Sequence, residues 1–234
     1  MDQPFRETYT KKQKIYFVYF LVFTCLVIII FAFIIIGTFW NYGAKIRDME
    51  NYYKNLALKA RQVVPQINSF DPILGTAEAK VTIYEFTDFL CPACKDLQTD
   101  LTSLEKFYGN KIRVVFKGLA ITIHPQTRPA LEAAYCAAEQ NAFWQYKDLL
   151  FQEPNILNEL KFREYASLLN LNLDSFNQCL TDKKYESLIN QNISQAVSLQ
   201  ITSVPTLYIN SQKVEGFLNY ETIKKLIDQE LSQP

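Results

Sequence analysis

The sequence predicts an α/β domain carried behind a single membrane-spanning helix. Three observations point there: a long uncharged apolar run near the N-terminus, a strand and helix order of βαβ, helices, then ββα from residue 71 onward, and a Cys-x-x-Cys pair where the first strand gives way to the first helix.

The 234 residues allow one ordinary domain plus an appendage, with enough apolar content for a proper core. Lys and Arg number 24, as do Asp and Glu, and no long run of one sign occurs. The electrostatic footprint of a nucleic-acid binder is missing, so nucleic acid is not an expected partner.

From Ile15 to Trp40 no side chain is charged, and most are Ile, Phe, Val and Leu. That length spans a bilayer as a helix. The run ends in Gly37, Thr38, Phe39 and Trp40 rather than in the small residues of a cleavage site, which makes it an uncleaved signal-anchor. A buried core helix is the competing reading, but soluble cores seldom supply so long an uncharged stretch. Arg6, Lys11, Lys12 and Lys14 precede the span, whereas Lys45, Arg47, Asp48 and Glu50 follow it. This bias places residues 1–14 in the cytoplasm and the rest of the chain outside, at the cell membrane.

Residues 41–70 form a charged connector. Ile46, Met49, Tyr53, Leu56, Ala60 and Val63 recur at spacings of three and four, which predicts a short helical stalk. Fewer than three heptads favour a helix packed on its own domain over a pairing of two chains.

The domain occupies 71–234. Val81 to Phe86 reads as a buried strand, and Leu97, Leu101 and Leu104 mark the inner face of a helix ending near Gly109. Ile112 to Phe116 is a second strand. A mostly helical stretch follows from Pro129 to about Leu199, interrupted near Glu153 and Pro154. Thr206 to Ile209 is a strand, Asn210 to Gln212 turn into another at Lys213 to Phe217, and Ile223, Leu226, Ile227 and Leu231 mark a closing helix.

The chemistry sits at Cys91-Pro92-Ala93-Cys94. Two cysteines three apart in a first helical turn lie side by side, close enough for a disulfide to open and close without moving the backbone. Pro92 suits the first helical position, where no N–H is lost. Free N–H groups and the helix dipole favour a thiolate at Cys91, the attacking sulfur. Cys94, one turn further in, is the resolving thiol. The competing reading is a zinc knuckle or an inert disulfide. Zinc wants a second close ligand pair, but Cys136 and Cys179 stand 43 positions apart and His124 is the lone histidine. No metal and no cofactor are expected.

The segment Glu85-Phe86-Thr87-Asp88-Phe89-Leu90-Cys91-Pro92-Ala93-Cys94, the Ala133 to Ala138 helix followed by Phe143-Trp144, and Val204-Pro205-Thr206 before a strand together resemble the DsbA-like branch of the thioredoxin superfamily, in its membrane-anchored or secreted bacterial subgroup. The resemblance covers about residues 71–232. It implies a thioredoxin fold with a helical insertion at about 126–199, and oxidation of cysteines in newly exported proteins. It also implies reoxidation by a membrane quinone-linked partner of the DsbB or vitamin K epoxide reductase-like type. The best-known DsbA enzymes carry Pro-His between the cysteines, and this chain departs from them with Pro92-Ala93. By the same resemblance Val204-Pro205 carries a cis bond facing the Cys-x-x-Cys pair, and Val204 favours an oxidase over a reductase or isomerase.

Glu85 stands out from alternation alone, on the strand face of Val81 and Ile83 where an apolar residue belongs. It is either a buried carboxylate exchanging a proton with Cys94 or a strand-end glutamate reaching solvent or Lys117. The matching position in the DsbA family is also an acid. Cys136 and Cys179 would each pass for a buried thiol by default. Beside a disulfide-making enzyme in an oxidising compartment, a structural disulfide is the better reading. Asp88 and His124 read as loop residues, Cys25 as an apolar filler of the span, and Asn192-Ile193-Ser194 as a glycosylation pattern of the kind that arises by chance.

Overall fold

The computed structural model describes residues 11–61, 64–216 and 219–233, for 11–15, 17 and 54–61 the backbone alone. Residues 1–10 of the expected cytoplasmic segment, the side chains of Leu56, Ala60 and Val63, and Phe217 lie outside the described parts. The chain divides after Ala60 into two units.

The first unit is built on one helix, α1 (Lys11–Arg61), which runs without a break through the boundary near residue 40 where hydropathy ends the span. Within Val18–Tyr53 lies a stretch long and apolar enough to cross a membrane. Ile46, Met49 and Tyr53 of the heptad-like pattern are exposed on it.

The second unit has the thioredoxin-like mixed sheet that the family resemblance implies. Its strands are β1 (Ile73–Leu74), β2 (Val81–Thr87), β3 (Ile112–Gly118), β4 (Thr206–Ile209) and β5 (Gln212–Glu215), in the order β1-β3-β2-β4-β5 among the described residues. β2 and β3 run parallel, while β1–β3, β2–β4 and β4–β5 pair antiparallel. β1 escaped the sequence reading because two residues are too short to show alternation.

β2 is apolar on both faces because both are covered. Val81 and Ile83 pack with Leu97, Leu101 and Leu104 of α2 (Pro92–Tyr108) and with Ile223 and Ile227 of α8 (Tyr220–Ser232). On the other face Phe86 and Tyr208 meet Ala196 and Leu199.

The long helical stretch resolves into α3 (Thr127–Ala138), α4 (Phe143–Gln152), α5 (Glu159–Leu168), α6 (Leu173–Thr181) and α7 (Glu186–Ser198). Asn158 and Asn172 are the N-caps of α5 and α6, their side chains accepting from Lys161 N and Ser175 N, while Asn141 and Asn170 take left-handed φ between helices. The core of this insertion is continuous with Phe89, Cys91, Cys94 and Phe116, so its packing bears directly on the cysteine pair. Gly118 ends β3 because α3 comes close: a Cβ there would stand 2.1 Å from Leu131 Cδ2.

Candidate active site

β2 ends at Thr87, and α2 starts five residues later at Pro92. Cys91 is the N-cap of α2, with extended backbone (φ −82°, ψ 119°), and Pro92 occupies the first turn. The backbone N–H of Cys91 donates to Asp88 O at 3.1 Å. Antiparallel pairing sets Thr206 opposite Phe86, so the chain entering β4 runs beside the segment leaving β2. Val204 therefore reaches the cysteines, and Cys91 Sγ donates to Val204 O at 3.7 Å. The Val204–Pro205 bond is cis, and Pro205 is buried.

The two thiols differ in access, Cys91 being 9% exposed and Cys94 0%. Burial pushes the Cys94 thiol pKa well up, opposed by the Asp88 backbone and the Thr87 hydroxyl. Pro92 is exposed and Ala93 half-buried, so neither residue between the two cysteines brings a charge to them.

Beneath the pair lies Glu85, fully buried at the position alternation singled out. Neither solvent nor Lys117 meets it. Lys117 is opposite Phe86 in the parallel ladder, which turns its side chain to the other face, where it pairs with buried Asp71 and Asn192. The partner is Gln98 of α2, whose Nε2 donates to Glu85 Oε1 at 2.7 Å and to Cys94 O at 2.9 Å. Gln98 Oε1 in turn accepts from Lys147 Nζ of α4 at 2.7 Å. Burial raises the Glu85 pKa, with the Lys147 charge and the Gln98 hydrogen bond pulling the other way. A cavity of about 30 Å³ borders Glu85, Gln98, Trp144 and Lys147, more than the roughly 15 Å³ that a water needs.

Sequence reasoning missed Gln98 and Lys147, whose relevance depends on the docking of α4. It also undervalued Asp88 and His124. Both are loop residues, but Asp88 is fully buried and ties the loop together: Oδ1 accepts from Leu90 N at 2.7 Å and from Thr127 Oγ1 at 2.6 Å, and Oδ2 shares a hydrogen bond with His124 Nδ1 at 3.1 Å. An Asp accepting from the N–H two residues on is an Asx turn, a signal present in the sequence.

A disulfide joins Cys136 of α3 to Cys179 of α6. Cys25 is exposed on α1. Asn192 is fully buried, held by Asn68, Lys117 and Tyr135, so no glycan fits there. Among the described residues no group of three or more His, Cys, Asp or Glu is placed to hold a metal.

The sequence pattern of the thioredoxin family matches residues 68–229. The chain belongs to the thioredoxin family. It is 33% identical over 166 residues to the Na(+)/H(+) antiporter NhaA 3 of Salinispora tropica, covering 70% of this chain and 25% of that protein. It thus spans about a quarter of the length of the antiporter relatives. With disulfide bond formation protein D of Bacillus subtilis it is 25% identical over 177 residues, 68% of this chain and 77% of that one. Among solved structures, oxidised BdbD from Bacillus subtilis superimposes with a TM-score of 0.63 at 23% identity, covering 70% of this chain and 94% of that one. The thiol-disulfide exchange protein alpha-DsbA2 from Wolbachia pipientis does so with 0.64 at 19%, covering 78% and 97%. These DsbA-like neighbours share the fold of this thioredoxin-family domain.

Proposed function

We propose that this thioredoxin-family protein is a membrane-anchored dithiol oxidase that puts disulfides into exported proteins through Cys91 and Cys94. One observation carries the reading: a Cys91 sulfur at a helix N-cap and against Val204 O, at the edge of the core and less deeply buried than its resolving partner one turn behind.

In the oxidised enzyme a substrate thiolate attacks Cys91 Sγ, the Cys91–Cys94 bond breaks, and Cys94 leaves with the electron pair. A second substrate thiolate then attacks the substrate sulfur of the mixed disulfide and releases Cys91 as a thiolate, which the N–H groups of the α2 first turn stabilise. Val204 O borders the attacked sulfur, where an extended client chain would pair with the backbone. Glu85, buried and held by Gln98, supplies or takes the proton that Cys94 needs on changing state. The dithiol then returns its two electrons to the disulfide of a membrane partner of the DsbB or vitamin K epoxide reductase-like type. The apolar stretch of α1 anchors the catalytic domain on the outer face, as the basic residues before it suggest. A zinc-binding role finds no support in the sulfurs, since Cys136 and Cys179 are bonded to each other.

The alternative is a reductase or isomerase on the same fold, favoured by Ala93 where strong oxidases carry a histidine. The reduction potential of the full chain in detergent separates the two. A value above about −180 mV supports the oxidase, and one near about −270 mV overturns it in favour of the reductase.

A further inference from the structure

Thr87 is the last residue of β2, on the same face as Glu85 by strand alternation, and is fully buried. Its main chain is engaged, with Leu119 N donating to Thr87 O at 2.8 Å. Its hydroxyl is not: Oγ1 is buried and has no hydrogen-bond partner among the described residues. A core position that wanted only volume would be served better by valine, because an idle buried hydroxyl costs its lost hydration.

The surroundings show what the hydroxyl waits for. Gln98 of α2 docks on Glu85, and Cys94 lies one turn nearer the helix start on the same buried face, as Thr87 lies two residues nearer the strand end. This brings the hydroxyl to the side of the site where the Glu85 carboxyl and the Cys94 thiol meet, and its presence favours the charged form of each. Gln98 links Glu85 to the Cys94 carbonyl, not to the Cys94 sulfur. Cys91 Sγ is turned to Val204 O. Around these groups stand Lys147, reaching Glu85 through Gln98, exposed Asp148, and the Asp88 backbone.

We propose that the Thr87 hydroxyl is the proton relay between Glu85 and Cys94. The proposal rests on the disulfide-exchange reading of Cys91 and Cys94. When substrate thiolate takes Cys91 Sγ, the disulfide breaks and its electron pair goes to Cys94 as thiolate. Thr87 O–H gives its proton to Cys94 Sγ as Thr87 Oγ1 takes the proton of the Glu85 carboxyl. The products are the mixed disulfide at Cys91, a Cys94 thiol, a restored Thr87 hydroxyl and a Glu85 carboxylate facing Gln98 and Lys147. The same path runs backward when Cys94 attacks the mixed disulfide and must lose its proton.

The test uses the full chain in detergent, with Cys91 loaded as a mixed disulfide to 5-thio-2-nitrobenzoate and release of the coloured thiol by Cys94 followed from pH 5 to 9. Thr87→Val should slow release at pH 7 about tenfold or more and displace its pH profile upward, a modest share of what proton transfer by a positioned group contributes. Thr87→Ser should return release to within about threefold of the parent. The valine variant should melt no lower than the parent, which separates relay loss from structural damage. Should it fail to fold, Thr87→Ala takes its place against the same serine control. Release by the valine or alanine variant within threefold of the parent at every pH, or a serine variant as slow as either, would reduce Thr87 to a filler. Failure of the parent itself to load or release the chromophore would overturn the exchange reading, and the relay with it.

Discussion

Replacing Cys136 and Cys179 together with alanine removes a cross-link between α3 and α6 that closes a loop of 43 residues in sequence separation. The chain-entropy argument assigns about 4 kcal/mol to a loop of that size, because the denatured chain gains the freedom that the bond denied it. Both sulfurs are buried in the insertion core, and losing their contacts adds about 1–2 kcal/mol. Against a native margin of about 5–15 kcal/mol, the variant folds but with much of its reserve gone. The assay is urea unfolding followed by Trp144 fluorescence in a Trp40→Phe background, since these two are the tryptophans of the chain. With a slope of about 2 kcal/mol per molar urea, the midpoint should fall by about 2 M or more. A midpoint shift under about 0.5 M would refute the reasoning, showing that the denatured chain keeps this loop closed without the bond. Peptide mapping that found both residues as free thiols in the purified protein would refute its premise.

Three further outcomes follow from the site. Near neutral pH iodoacetamide should label Cys91 faster than Cys94, whose thiol is buried and pushed up in pKa; preferential labelling of Cys94 would reverse the assigned roles. Burial holds the Glu85 pKa above its ordinary 4.5, so over the window upward from there the folded state binds more protons than the unfolded one and this group's contribution to stability falls as pH rises. Glu85→Gln should therefore gain stability over the parent as pH climbs from about 4.5, while releasing thiol through Cys94 more slowly; melts at pH 4 and pH 7 showing the same difference would contradict the sign. Asp88→Ala strips Thr127 Oγ1 and Leu90 N of their acceptor and should cost about 2–4 kcal/mol, read in the same urea assay; a loss under about 0.5 kcal/mol would mean water replaces the carboxylate.

Much of the site is written in short stretches of chain. Cys91-Pro92-Ala93-Cys94 announces a reactive N-cap thiol with a resolving partner because three residues make one helical turn, and the structure sets Cys91 at the N-cap of α2 and Cys94 fully buried. Glu85 announces itself by breaking the alternation of Val81 and Ile83. Val204-Pro205 is legible by likeness to a family rather than by any property of its own segment. Gln98 and Lys147 are not legible, since a glutamine and a lysine on amphipathic helices look like solvent-facing residues until α2 and α4 are docked.

The sequence by itself determined the uncharged run that forms the apolar part of α1, the order of strands and helices from β2 onward, the apolar faces of β2, α2 and α8, and the position of the reactive turn. Each is a matter of periodicity or composition among consecutive residues, which the chain expresses locally. The tertiary structure alone decided that Lys117 serves Asp71 on the far face instead of Glu85, that Lys147 of the insertion reaches Glu85 through Gln98, that Asp88 gathers His124 and Thr127, and that the Thr87 hydroxyl is left idle beside Cys94. Those pairings join residues tens of positions apart, or turn on which side chains a neighbour leaves unsatisfied, and strand register and helix docking set both.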